Sequence, residues 1–235
     1  MSNSHPLDNP IWDTLNTEHC KLAHGNNLAK RYPTEIGPLS GIANEVATNY
    51  EALRLLVDLG GVVVLFLDEP YTPKLGWTLV RGGLLSQMIR MSPISQEPSP
   101  LRIPATSRKL TPEDVPAMRE LAALTEPGPF RQRTIELGEF HGIFDSGRLL
   151  AMAGQRLHLK HFVEVSAVCT HPDARGRGYA RLLMSLVIEE IVQRRKIPFL
   201  HSFADNYPAI RVYEALGFTL RRTLHLAVLK NEAEG

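Results

Sequence analysis

The stretch HPDARGRGYARLLMSLVIEE, His171 to Glu190, constrains the fold more than any other. Before it lies VEVSAVCT, a run rich in β-branched residues that reads as a strand. The stretch opens on a turn holding Arg175, Gly176, Arg177 and Gly178. It then becomes a helix over Tyr179 to Arg195, with Ala180, Leu183, Met184, Val187, Ile188 and Ile191 on one face. Such an apolar stripe must be buried, and a sheet is its natural partner. The start of a helix offers unpaired N–H groups and a partial positive charge. Glycines let a ligand approach the backbone, and arginines add charge and multidentate hydrogen bonds. Strand, basic glycine turn and helix together make a pyrophosphate cradle. A solvated turn with its arginines in water fits the composition equally well.

The patterning elsewhere alternates in the same way. ANEVATNYEALRLLVDLG predicts a helix, with Val46, Tyr50, Leu53 and Val57 on one stripe and Gly60 as its stop. VVVLFL predicts a buried strand, and WTLV and LLSQMIRM predict two more. TPEDVPAMRELAAL starts a helix with Thr111 as N-cap and Pro112 at its first position; Pro116 is expected to shorten or kink it. FRQRTIELGEF predicts a short helix, and HGIFDSGRLLAMAGQRLHL a hairpin turning at Asp145-Ser146-Gly147. PFLHSFA and HLAVLK predict strands, and NYPAIRVYEALG a helix stopped by Gly217. This order implies an α/β fold, an α+β mixed sheet with helices on both faces. The proline- and serine-rich stretch from Met91 to Leu110 reads as a linker. It sets an expected boundary near residue 100, between a mixed α/β segment (1–100) and a second unit (101–235).

Lys and Arg number 26 against 25 Asp and Glu, so net charge gives no reason to expect nucleic acid or a membrane as partner. Cys20 and Cys169 are too far apart in sequence to suggest a disulfide framework or a zinc site. His141, His158, His161 and His171 show no metal spacing, and no metal is expected. The start, MSNSHPLDNP, lacks the basic and apolar regions of a secretory signal. The longest apolar run falls well short of the ~20 residues of a membrane helix. A cytoplasmic protein is expected. Arg221 and Arg222 read as a solvated edge.

The phosphate patterns GxxxxGK[ST] and GxGxxG are both absent, since Arg181 stands at the last glycine of the second. RGRGYA instead resembles the R/Q-x-x-G-x-G/A signature of the GNAT acetyltransferase superfamily, at Arg175, Gly178 and Ala180. NYPAIRVYEALGF resembles the family's N-x-x-A-x-x-x-Y-x-x-x-G-F, at Asn206, Ala209, Tyr213, Gly217 and Phe218. VSAVCTHPDARGRG looks like the branch that includes glycine N-acyltransferases. The resemblance covers roughly the C-terminal half. It implies a GNAT-type acyl-CoA N-acyltransferase fold that moves an acetyl group from acetyl-coenzyme A to an amine, on a small molecule or a protein. The N-terminal segment is then an addition. It could be a degenerate half of the same fold, could wall the acceptor site, or could supply a homodimer surface.

The resemblance also implies roles. Val168, Cys169 and Thr170 would pair through their backbone with the pantetheine arm of coenzyme A, provided the neighbouring strand splays away. Arg175, Gly176, Arg177, Gly178, Tyr179, Ala180 and Arg181 would hold its pyrophosphate, and Asn206 would also contribute. Cys169 is read as a packed residue, since no His partner is readable beside it. Tyr213 lies two helical turns after Asn206 and on the same face. With a reference pKa of ~10 it can protonate a departing thiolate, and the family places its catalytic acid there. Ala209, Val212 and Leu216 make a core role the alternative. Two candidates stand for the base: Glu164, positioned like the glutamate of histone-acetylating members, and His201, near where ribosomal-protein-acetylating members carry a glutamate. A water relay could replace both. Two other readings stay open: a catalytically inactive coenzyme A-binding module, and a different phosphate ligand in the same cradle.

Overall fold

The computed structural model describes residues 5–91 and 107–233. In chain order the helices are α1 (Pro10–Asn16), α2 (Ala47–Arg54), α3 (Val115–Thr125), α4 (Tyr179–Gln193) and α5 (Tyr207–Ala215). The strands of the first part are β1 (His24–Gly25), β2 (Ala29–Arg31), β3 (Ser40–Ile42), β4 (Val62–Leu67) and β5 (Trp77–Ile89). Those of the second are β6 (Ser107–Lys109), β7 (Phe140–Asp145), β8 (Arg148–His158), β9 (Phe162–Thr170), β10 (Ile197–Phe203) and β11 (Thr219–Asn231). β1 to β3 form a small sheet. The other strands form one sheet in the order β4-β11-β5-β10-β9-β8-β7-β6. It is mixed, because β9 and β10 run parallel while their outer neighbours pair antiparallel.

The expected boundary near residue 100 lies outside the described residues. On either side of it the chain builds the same sheet: β5 is inserted between β10 and β11, and β11 reaches β10 only through β5. Four apolar clusters fill the two faces. α4 and α5 cover one face over β8, β9 and β10, and α2 covers the same face at β4 and β11. The other face carries α1 with the N-terminal loops and α3. No helix among the described residues is long and apolar enough to cross a membrane.

Local chemistry explains most elements. Thr111 and Asp114 form a reciprocal capping box ahead of α3. Pro116 falls in the first turn of α3, where its missing N–H costs nothing; a 3-10 turn over Pro112–Asp114 precedes the α-helix. Ser146 and Gly147 both have positive φ, as a tight hairpin turn requires.

Several expectations need correction. WTLV and LLSQMIRM belong to one strand, β5. Gly82 and Gly83 do not break it: a Cβ on Gly83 would come within 2.9 Å of the Phe203 ring, so that glycine makes room for a neighbour. α2 stops at Arg54 rather than running to Gly60, and Leu55 and Leu59 are exposed. FRQRTIELGEF contains only a 3-10 turn, Thr134–Leu137. β11 begins at Thr219, so the last strand is longer than HLAVLK.

One buried polar pair has a consequence for stability. The rings of His19 and His158 lie 5.1 Å apart, and His19 Nδ1 is 2.8 Å from the Tyr32 hydroxyl. Burial, with nearby positive charge, holds His19 at a pKa of about 3 and His158 at about 4. Both are neutral when folded but take up protons near 6.5 when unfolded, so their stabilisation is complete above that pH and fades as pH falls toward 4. From pH 7 to pH 5 the loss should reach up to about 2 kcal/mol for each ring. Thermal melts should record this acid limb, and the double variant H19Q/H158Q should flatten it.

Candidate active site

The site begins with an irregularity in β9. Between the pairs Met152↔Cys169 and Gly154↔Ser166, β9 carries one residue more than β8. Ala167 sits in this bulge with φ 52°, a left-handed conformation that an alanine adopts only under constraint. On its other side β9 pairs with β10 only from Ile197↔Phe162 to Phe199↔Glu164. Beyond Glu164 that edge of β9 has no strand partner, while β10 continues along β5 to Phe203. The two parallel strands therefore splay, as the backbone role expected of Val168, Cys169 and Thr170 requires.

A cavity of about 700 Å³ passes through the splay. Val168, Ser202, Asn206 and Tyr213 line it on the side of α4 and α5, and Phe66, Leu85 and Phe203 on the other side. Burial raises Tyr213 above its ordinary value, opposed by a hydrogen bond with Ser202, so its phenol keeps its proton. Asn206 lines the cavity and also caps α5, its side-chain oxygen accepting from the Ala209 N–H at 3.4 Å. Cys169 is buried under α3, and burial lifts its thiol to about 11, which suits a packed residue rather than a nucleophile. Thr170 pairs with Ala151, and its hydroxyl has no partner among the described residues.

The basic turn follows β9 after a 3-10 turn at Pro172–Ala174. Gly176 and Gly178 have φ of 77° and 76°, and a Cβ on either would meet nothing within 4 Å. The outer surface of the turn is thus open backbone. Arg175, Arg177 and Arg181 are exposed, while Tyr179 and Ala180 are half-buried. The first hydrogen bond of α4 runs from the Leu182 N–H to the Gly178 carbonyl. The N–H groups of Tyr179, Ala180 and Arg181 therefore point off the start of the helix, where an anion is favoured.

Beneath the cavity runs a line of buried and half-buried polar side chains, one from each of five adjacent strands. Arg156 of β8 donates to both oxygens of Glu164 of β9, at 2.7 and 2.6 Å. Glu164 lies 2.7 Å from Nδ1 of His201 on β10. Nε2 of His201 lies 3.0 Å from the amide nitrogen of Gln87 on β5. Gln87 also donates to the Leu7 carbonyl at 2.8 Å and accepts from Arg221 of β11 at 2.8 Å. Arg221 ends the line on Asp8, at 2.6 Å. The Arg221 donor and the Leu7 acceptor fix the orientation of the Gln87 amide, which must then donate to His201. His201 therefore accepts at Nε2 and carries its proton on Nδ1, facing Glu164. Burial keeps its imidazole neutral, against the pull of Glu164. Burial works to raise Glu164, but the Arg156 guanidinium overcomes it and holds the carboxyl at about 2. A carboxylate so stabilised is a weak proton acceptor.

The structure thus brings Val168, Asn206, His201 and Tyr213 onto one cavity, sets Glu164 behind it, and places the turn 175–181 just past the end of β9. Arg221 and Arg222 are not a solvated edge: a bulge in β11 at Arg221 lets both reach Asp8, and Arg222 also meets Asp68 at 3.0 Å. Sequence reasoning missed Arg156 and Gln87. Their signal was a polar residue inside an apolar strand run, in AMAGQRLHL and LLSQMIRM.

A family model described as FR47-like protein matches residues 140–226. A crystal structure of an acetyltransferase assigned to the GNAT family, from Novosphingobium aromaticivorans, aligns over 98% of this chain and 100% of its own, at 36% identity and a TM-score of 0.89. The chain belongs to the GNAT family. A GCN5-related N-acetyltransferase from Kribbella flavida shares the fold, with a TM-score of 0.60 over 95% of this chain and 94% of its own, at 14% identity. Mycothiol acetyltransferase of Mycobacterium leprae is 36% identical over 81 residues, which are 31% of this chain and 26% of that protein. The match spans about a quarter of the length of that curated relative.

The line of buried groups makes a prediction for this GNAT chain. Glu164→Gln leaves Arg156 largely buried without its counter-charge and should cost roughly 3–5 kcal/mol. Replacing both, as R156M/E164L, removes the uncompensated charge and should cost less than E164Q alone. Urea unfolding of the three proteins checks the order.

Proposed function

We propose that this protein transfers an acetyl group directly from acetyl-coenzyme A to an amine. The observation that carries the reading is the cavity through the β9–β10 splay with Tyr213 on its wall, together with the open amide turn at the start of α4. The turn 175–181 receives the diphosphate through main-chain N–H groups and arginines. The free edge of β9 at Val168, Cys169 and Thr170 pairs with the pantetheine amides. A strand N–H near Val168 faces the thioester oxygen, and such a donor is worth about 3 kcal/mol to a tetrahedral oxyanion. Within the family we place the chain near the branch that includes glycine N-acyltransferases, on the stretch 165–178.

In the transfer step the neutral amine attacks the thioester carbonyl. The C–N bond forms, the C–S bond breaks, and the amine nitrogen loses one proton. Tyr213 gives its phenolic proton to the departing thiolate. Water in the cavity takes the proton from nitrogen, because Glu164 and both nitrogens of His201 are occupied by internal hydrogen bonds. In this reading Glu164 and His201 hold the strands in place and do not act as bases. A binding module without turnover is the second reading; the protonated phenol lining the cavity favours the enzyme.

Tyr213→Phe should lower kcat by roughly 10²-fold or more while leaving the Kd for coenzyme A within about twofold. Stopped assays of thiol release, with calorimetry for binding, check both. Binding of coenzyme A without thiol release for any amine would support the module instead. With no internal base, kcat/KM should rise with pH up to the pKa of the acceptor amine. Exchanging the acceptor for one with a lower amine pKa should move that inflection by the same amount, which a pH–rate series with two amines tests.

A further inference from the structure

Resting on the transferase reading, we propose that the acceptor is a small amine with an apolar body and a carboxylate, and that Arg81 receives the carboxylate. The cavity has two sides. On the side of α4 and α5 it meets the free strand edge at Val168, with Ser202, Asn206 and Tyr213. On the opposite face of the sheet its wall is a continuous apolar floor of Val64 and Phe66 from β4, Leu226 and Val228 from β11, and Leu85 from β5. Most of this floor comes from the first ninety residues. It is broad enough for a branched or aromatic side chain, and glycine would leave most of it uncovered.

Arg81 lies on β5, four residues before Leu85 and on the same strand face, opposite Val228. It is exposed and lines the cavity. Its guanidinium lies 4.8 Å from the centre of the Phe203 ring. That ring can lie there because Gly83 has no side chain in its way. Stacking holds the guanidinium plane while leaving its N–H edge for a bidentate partner. Among the described residues no carboxylate pairs with Arg81. The other charges on the cavity wall are Arg119, Arg156 and Glu126. Glu164 already neutralises Arg156, and Arg119 donates to the side-chain amide oxygen of Gln132. The excess charge on the wall is positive, and it favours an acidic group on the ligand. The diphosphate of coenzyme A does not account for Arg81, because the turn that would hold it opens α4, on the other face of the sheet.

The test uses the full chain with acetyl-coenzyme A and five amines: phenylalanine and leucine, each as free acid and as amide, and glycine. Product mass and thiol release are recorded, and binding of coenzyme A by the unaltered protein is measured separately. At least one free acid should exceed both its amide and glycine by tenfold or more in kcat/KM. Arg81→Gln should bring the acid-to-amide ratio close to one, mainly through KM, and Arg81→Lys should restore part of it. Amides or glycine used as well as the free acids, or a ratio unchanged in R81Q, would overturn the proposal while leaving the transferase standing. Acetylation of protein amines with none of the five would do the same. Failure of the unaltered protein to bind coenzyme A would overturn both.

Discussion

The carboxylate of Glu164 keeps its charge with no exposure to solvent, and the strands around it are arranged to make that tolerable. An isolated buried carboxylate would be prohibitive, so it must be paired and hydrogen-bonded. Arg156 supplies the counter-charge and His201 the second donor. Satisfying His201 in turn calls on Gln87, then Arg221 and Asp8. Each of these groups would be costly if left alone, so the line holds together as a unit. It fixes the relative register of five strands. It also ties the 3-10 turn at Pro6–Asp8 into the centre of the molecule.

The opening through the sheet starts where this line crosses it. Glu164 and Phe199 are the last paired residues of β9 and β10, and the link from Glu164 to His201 pins the strands at that point. Beyond it the Ala167 bulge turns β9 away, and the cavity fills the gap. A site next to a rigid apex keeps its geometry, because its supports are locked by packing and hydrogen bonds. The first ninety residues are part of this arrangement. β5 supplies the antiparallel partner of β10, and Gln87, Leu85 and Phe66 reach the line or the cavity.

Much of the fold was legible in short stretches. The hairpin at Asp145-Ser146-Gly147, the buried strand VVVLFL, the cap at Thr111 and the helix from Tyr179 all rest on dihedral preferences and side-chain periodicity. The glycine turn with its open amides followed from the same reasoning. WTLV and LLSQMIRM read as two strands because nothing in the sequence announces the Phe203 ring that packs against Gly83. Arg221 and Arg222 looked like a wet edge because their partner, Asp8, stands 213 positions from Arg221. Glu164 and His201 could each be named as a base, but not recognised as neighbours already bonded to one another.

Sequence alone established the strand–turn–helix unit at 163–195, the amide-rich turn and the mixed-sheet class. These depend on interactions within a few residues of one another. The order of the strands, the place of β5 between β10 and β11, the splay at Val168 and the pairing of Glu164 with Arg156 were decided only in the folded chain. Those features depend on which distant groups share a low-dielectric interior, and the free energy of a buried charge is set by neighbours that the local sequence does not contain.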